Sequence, residues 1–368
     1  MTRRRVAVVF GGRSGEHEIS LRSARAIVAA LDPQKHEVIL VGIGKDGRWR
    51  TGPELAPALA QAERELVEVP RLGTEVTLIV DPARPGLLPL GGGAPIPIDV
   101  AFPVLHGTFG EDGTVQGLFE MAGLAYVGAG VTGSAAGMDK GITKALLLQA
   151  GIPVCRWITA RPRREDGASI RIRIEATFGY PCFVKPANLG SSVGISKVHH
   201  AGELDAAIAE ATGYDPCLII EEAIDGRELE CAVMGNDTAE TSVIGELVPS
   251  HEWYDYVDKY VADATRVEIP APIDAAVATE ARRLAGAVFE TVGCSGLARV
   301  DFFLERRTNR LYVNEINTMP GCTPSSMFPK LWEAAGVPFG TVVERLLALA
   351  LARHAERAAR RYSFSPAG

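Results

Sequence analysis

The chain has 368 residues, 47% of them hydrophobic and 23% charged, with a formal net charge of -7. This is an ordinary globular composition, long enough for two or three compact units, and its acidic balance speaks against broad nucleic-acid binding because backbone phosphates would be repelled. No apolar stretch approaches the roughly 20 residues of a membrane span, and six cysteines that never form Cys-x-x-Cys suit buried, reduced thiols better than a disulfide frame or a zinc site.

The first residues are basic, but the apolar run behind them is too short for a signal peptide, so a cytoplasmic protein is expected. "RVAVVFGG" (5–12) reads as a buried parallel strand entering a loop. "SLRSARAIVAAL" (20–31) has helical spacing with Ser20 as its N-cap, and "HEVILVGIG" (36–44) returns to strand. Together they make a β-α-β unit. Residues 46–97 are rich in Pro and Gly and read as a helix, a short strand pair and a loop. "IDVAFPVLHG" is a strand, "GTVQGLFEMAGL" a helix, and "AYVGAGV" (125–131) a strand and turn. "MDKGITKALLLQAG" is helical with a glycine stop, and "IPVCRWITA" is a strand. The locally basic "RPRREDGASIRIRIE" (161–175) reads as a solvated loop and edge strand.

From 183 onward the pattern turns antiparallel. "FVKPANLGSSVGIS" (183–196) places a lysine before a Gly-Ser run, between two strand-like flanks. A Walker loop has its lysine after the glycines, and the dinucleotide fingerprint needs a third glycine opening a helix. The stretch is therefore a hairpin tip with a cation on its incoming arm. "ELDAAIAEAT" is a helix, and a long helix lies near 273–293. Next come two strands, "GLARVDFFLERRTNRLYVNEINT", turning near Thr308 and Asn309. "VPFGTVVERLLALALARHAERAARR" is the last helix, and "YSFSPAG" a disordered tail.

That hairpin carries the chemistry. Its turn sets Asp301 roughly opposite Glu315, and period-two alternation brings Asn317 and Arg299 to the same face. Carboxylates facing each other across a ladder are destabilising unless they share a cation. Two of them beside a carboxamide match a magnesium site that keeps water and phosphate as its other ligands. The following "NTMPGCTPSS" could present backbone N–H groups to a developing oxyanion.

"GGRSGEHEISLRSA", "HGTFGEDGTVQG", "MDK", "VKPANLGSSVGISKV", "ARVDFFL" and "VNEINTMPGCTPSSM", in this order, closely resemble the D-alanine–D-alanine ligase family of the ATP-grasp superfamily. The resemblance runs from about Arg5 to about Ala350 and is weakest through 46–97. It implies an α/β protein, α+β in its C-terminal half, with the ATP-grasp fold: three domains with ATP held between two sheets. The divisions would be 1–127, a Rossmann-like domain; 128–221, with the phosphate loop at 186–196; 222–360, with the metal site; and a tail, 361–368.

The implied reaction phosphorylates the carboxylate of one D-alanine with ATP, after which the amine of a second attacks the acyl phosphate, for peptidoglycan precursors. A different acceptor, D-serine or D-lactate, or a ligase of specialised metabolism is the alternative. A nucleotide sensor without catalysis fits less well, because the charged set is intact. The family motif implies ATP contacts for Lys140, Lys185, Ser191, Ser192, Glu221, Glu222, Ala223, Ile224, Glu228 and Lys259. The family often has lysine where Glu222 stands. Asp301, Glu315 and Asn317 would hold two magnesium ions, with manganese as a substitute and K+ as a candidate monovalent ion. Glu16 would hold the first substrate's ammonium, with His106 near its carboxylate; Ser326 and Met327 would receive the second carboxylate. Arg299 and the N–H of Gly321 would meet the oxyanion, and Tyr260, bonded to Ser191 and Glu16, would close the site and favour an amine acceptor. Cys322 is read as packing. A homodimer with small-molecule substrates is the expected assembly.

Overall fold

The computed structural model describes residues 3–190, 193–248 and 266–361. β1 (Arg4–Gly11), helix His17–Ala30 and β2 (His36–Ile43) make the β-α-β unit, with Val6 paired to Val38 and Phe10 to Gly42 in a parallel ladder. Beyond β2, residues 46–97 hold more sheet than their composition announces. β3 (Trp49–Thr51), β4 (Thr74–Leu78), β5 (Gly86–Pro89) and β6 (Ile96–Pro97) extend the sheet antiparallel, and β7 (Val100–Val104) pairs with β1 on its other side. β1 is buried on both faces, which explains its unbroken apolar run.

Ser20 is not a cap. The helix starts three residues earlier, and the Ser20 hydroxyl, buried in the first turns, accepts from Gly11 N–H (2.7 Å) and donates to the Val104 carbonyl, joining β1 to β7. Nor is 125–131 a strand. It makes a single bridge to Ala101, and the carbonyls of Tyr126 and Gly128 go instead to the guanidinium of Arg353, which also stacks over the Tyr126 ring at 4.5 Å.

The second sheet has the order β10-β9-β11-β8, all antiparallel: β8 (Trp157–Ala160), β9 (Cys182–Pro186), β10 (Ser196–Val198) and β11 (Leu218–Glu222). The basic segment after β8 is a helix, Gly167–Thr177, rather than an edge strand. Asp166 caps it by accepting from Ser169 N–H at 2.7 Å, a signal that the density of arginines concealed. Helix Lys140–Gln149 is likewise capped by Asp139, which accepts from Ile142 N–H at 2.9 Å.

The third sheet has the order β14-β13-β12-β15-β16: β12 (Gly226–Gly235), β13 (Ala239–Val248), β14 (Arg266–Glu268), β15 (Gly296–Glu305) and β16 (Leu311–Asn317). Helix Ala275–Val292 covers one face through Leu284, Val288 and Phe289. On the other side helix Met327–Ala334, absent from the sequence reading, and helix Phe339–Ala358 pack with β1 and β7 in one core, where Phe10 and Phe102 join Phe328, Leu346 and Leu347. No single helix among the described residues is long and apolar enough to cross a membrane. The tail 362–368 lies outside the described residues.

The start of β15 meets the 125–131 segment at two glycines. Gly296 has φ +75°, and a Cβ there would stand 2.9 Å from the backbone nitrogen of Gly128. Gly296→Ala is therefore expected to cost about 2 kcal/mol or more through strain and overpacking. Denaturant unfolding measures it, and an unchanged midpoint would contradict this close approach.

Candidate active site

A cavity of about 490 Å³ opens between the second and third sheets. β9 contributes Lys185, and β11 with its exit contributes Glu221, Glu222, Ala223 and Ile224. From the third sheet come Glu228, Arg299, Asp301 and Glu315; Lys140 enters from the start of its helix. Nine residues chosen from the sequence as nucleotide or metal contacts, and Arg299 with them, thus line one space, whose volume suits a small-molecule ligand.

The third-sheet wall has the expected register. Asp301 pairs with Glu315 and Arg299 with Asn317, and a bulge follows Asp301. On the other flank Glu230 lies opposite Asp301, so three carboxylates form a row across β12, β15 and β16. Arg299 neutralises two of them. Its Nε and Nη2 each reach an Asp301 oxygen at 2.7 Å, and Nε lies 3.0 Å from Glu230 Oε2. Burial opposes the arginine's charge, but Asp301 and Glu230 outweigh it and keep it protonated. Lys140 Nζ stands 3.6 Å from Glu315 Oε2. Glu230 escaped the sequence reading, although Glu228 and Glu230 in "RELE" share a face by period two.

Among the described residues no three acidic, histidine or cysteine side chains close on one point as a metal cage. The donor set here is two carboxylates that line the cavity and, paired with Arg299 on the next rung, the Asn317 carboxamide. Ionised carboxylates keep further lone pairs while paired to a cation, so the set fits a magnesium-type ion completed by water and phosphate. Asn317 Oδ1 also accepts from Met319 N–H at 3.1 Å, which fixes the start of the next loop.

The second-sheet wall presents cations. Lys185 Nζ lies 2.6 Å from Glu221 Oε2, and the other oxygen, Oε1, is 2.9 Å from Lys144 Nζ. Burial would raise the Glu221 carboxyl, but the two lysines overcome it and hold it at about 2. Glu222, where the family often has lysine, takes Arg156 in a salt bridge of 2.6 Å, so its side chain is committed at the strand end. The hairpin loop between β9 and β10 is pinned at its stem: Lys140 Nζ donates to Leu189 O at 2.6 Å, and Asn188 donates to Asp215 from its backbone (2.8 Å) and side chain (3.0 Å). Ser191, Ser192, Lys259 and Tyr260 lie outside the described residues.

The remaining candidates gather where the first sheet meets the 318–326 loop. The Glu16 carboxylate approaches both Gly107 and Gly190; an added Cβ on either would stand 3.1 and 3.5 Å from its Oε2. His106 is buried with both ring nitrogens engaged, Nδ1 with Met319 O at 3.0 Å and Nε2 with Ser23 Oγ at 3.1 Å. It therefore braces the loop rather than offering a free donor to a substrate carboxylate. Ser23 Oγ also accepts from Cys322 N–H at 3.3 Å. Cys322 is core, its thiol pushed up to about 12 by burial. Gly321 leaves room for the Ser326 hydroxyl, which would lie 2.8 Å from a Cβ placed there and which bonds Thr323 Oγ1 at 2.7 Å. The Met327 side chain is packed in the core, so what it can present to a ligand is its N–H in the first turn of a helix. Glu111, missed in the sequence, accepts from Gly107 N–H at 2.5 Å; burial, then the charge of Glu16, raises its carboxyl to about 8.

Models of the D-ala D-ala ligase N-terminus and C-terminus match residues 5–129 and 146–348. A D-alanine–D-alanine ligase of Heliobacterium modesticaldum is 47% identical over 97% of both chains. One of Solibacter usitatus is 46% identical over 98% of this chain and 99% of its own. Among solved structures, the D-alanine–D-alanine ligase of Coxiella burnetii superposes with a TM-score of 0.83 at 37% identity over 97% of each chain. A D-Ala:D-Ser ligase from Enterococcus faecalis gives 0.84 at 35% identity, over 95% of this chain and 100% of its own.

The raised carboxyl makes a stability test. Between the ordinary value of 4.5 and about 8, the folded protein keeps a proton that the unfolded chain releases, so Glu111 lowers stability as pH rises through that window. Glu111→Gln carries no such proton. Its stability relative to the native chain is expected to rise by about 1 kcal/mol per pH unit across the window, read by denaturant melts at several pH values. A difference independent of pH would contradict the raised carboxyl.

Proposed function

The chain belongs to the D-alanine–D-alanine ligase family, and from that premise we propose that it joins two D-alanines at the expense of ATP, through an acyl phosphate, for peptidoglycan precursors. Its fold is the α/β ATP-grasp fold. ATP and a divalent ion serve the reaction; we assign two magnesium ions, replaceable by manganese, with K+ as an accessory ion. The working form in this reading is a cytoplasmic homodimer. We divide the chain as 1–127, 128–221, 222–360 and tail, a division supported by the succession of the three sheets, although β11 runs one residue past the second boundary.

The observation that carries the reading is the wall of Arg299, Asp301 and Glu315, with Asn317 beside it in the Arg299 register, facing Lys140 and Lys185 across one cavity. A free carboxylate is a poor electrophile, and phosphorylation gives it a good leaving group. Transfer of a phosphoryl group asks for positioning and charge rather than covalent help. Lys140 and Lys185 would hold ATP phosphates, and the exit of β11 with Glu228 the adenosine part. A divalent ion held by Asp301, Glu315 and Asn317 would neutralise crowded phosphate oxygens. Glu16 would orient the first D-alanine by its ammonium. As the second amine attacks, Arg299 and Gly321 N–H would meet the oxyanion, while Ser326 and the first-turn N–H of Met327 would receive the second carboxylate. Ser191, Ser192, Lys259 and Tyr260 keep the roles that the family motif gives them.

The test is phosphate release from ATP with each acceptor in turn. Release that depends on D-alanine and yields D-alanyl-D-alanine is expected; release without it, or preference for D-serine or D-lactate, would overturn the assignment. Arg299→Lys keeps the charge that Asp301 and Glu230 need but loses the planar fork. It should lower kcat by about a hundredfold, as loss of one oxyanion donor does, with ATP affinity nearly unchanged. Native turnover in that variant would remove Arg299 from the mechanism.

A further inference from the structure

Lys144 has no part in the mechanism above, yet its ammonium is among the most deeply buried charges of the described residues, with 1% of its surface exposed. It lies one helical turn after Lys140, on helix Lys140–Gln149. Besides Glu221 Oε1 at 2.9 Å, its Nζ meets Cys155 Sγ and the carbonyl oxygen of Asn314, each at 3.3 Å. Asn314 is the residue left over by the bulge between β15 and β16, since Asp301 pairs with Glu315 and Phe302 with Val313. A bulge leaves its extra residue outside the ladder, and Lys144 takes the carbonyl so released. One ammonium thus joins the nucleotide sheet, through Glu221, to the strand that carries Glu315 and Asn317.

The charge count gives this a functional sense. Glu221 stands between two lysines, one oxygen to each, so the trio carries a net positive charge. Lys185 and Glu221 line the cavity and Lys144 does not, so Lys185 is the lysine of the trio able to face a ligand. Without Lys144, Glu221 and Lys185 would form a neutral pair and the carboxylate would cancel the charge offered to a triphosphate. We propose that Lys144 is a positioning residue for nucleotide binding, which by engaging Glu221 and the bulge carbonyl of Asn314 leaves Lys185 its positive charge for the phosphates of ATP. This rests on Lys185 as a phosphate ligand, as read above.

The test compares binding of ATP and of adenosine, by calorimetry on the full chain, for the native protein, Lys185→Met, Lys144→Met and Lys144→Met/Glu221→Gln. Lys144→Met should weaken ATP by about tenfold or more, the order of one charge interaction near a protein surface, and leave adenosine within about threefold. In the double variant the trapping carboxylate is gone, and ATP affinity should recover by about threefold or more over Lys144→Met. A purely structural lysine would lose both ligands alike and gain nothing from the second change. Native ATP affinity in Lys144→Met, equal loss of ATP and adenosine, or a double variant no better than the single one would overturn the proposal. If the single variant does not fold, the double variant is set against Glu221→Gln alone, which it should match within about threefold; a larger further loss, or failure of both Lys144 variants to fold, overturns the proposal as well. Unchanged ATP affinity in Lys185→Met would instead remove the underlying assignment of Lys185.

Discussion

Three carboxylates stand in a row across β12, β15 and β16, and the rest of the site is arranged around their charge. Adjacent like charges on a sheet face are unfavourable. Arg299 offsets the pair Glu230 and Asp301, and Lys140 approaches Glu315 from the facing wall. The same cations and anions suit magnesium nucleotide: carboxylates for the metal, lysines for the phosphates, and an arginine held where charge develops. Buried ion pairs are weak sources of stability because desolvation offsets their attraction. Their persistence here is better understood as positioning, with the charged groups that face the cavity fixed by one another and, at Glu221, by Lys144 behind it.

The fold supplies that fixation through joints between units. The 318–326 loop leaves β16 beside the metal-type donors and is held from the first sheet's side by His106 and Ser23. Helices from the C-terminal end share a core with β1 and β7, so the sheet whose β1 leads toward Glu16 is packed against the unit bearing Arg299. The hairpin loop is tied to Lys140 and Asp215 at its stem. Substrate sites therefore arise at seams, where ligands are commonly enclosed.

The parts of this arrangement that a periodicity of two or a glycine stop controls were legible in the sequence. The β15–β16 register, the β-α-β opening and the lysine-bearing hairpin all follow from local pattern. What escaped depended on partners remote in sequence. Ser20 looks like a cap until β7 provides its acceptor; 125–131 looks like a strand until Arg353 takes its carbonyls. The helix at 167–177 was hidden because arginine density outweighed its Asp166 cap. In the site, Glu230, Lys144 and Glu111 went unnoticed since no motif isolates them and their meaning lies in which charges they face. His106 had its neighbourhood foreseen but not its engagement on both nitrogens.

The central claim is that the Asp301–Glu315 face binds the divalent ion of the nucleotide. Manganese binding in the presence of ADP, followed by electron paramagnetic resonance on the native protein and Glu315→Gln, tests it most directly. Saturable binding by the native chain that weakens at least about tenfold in the variant is the result expected, and equal manganese affinity in both proteins would contradict the account.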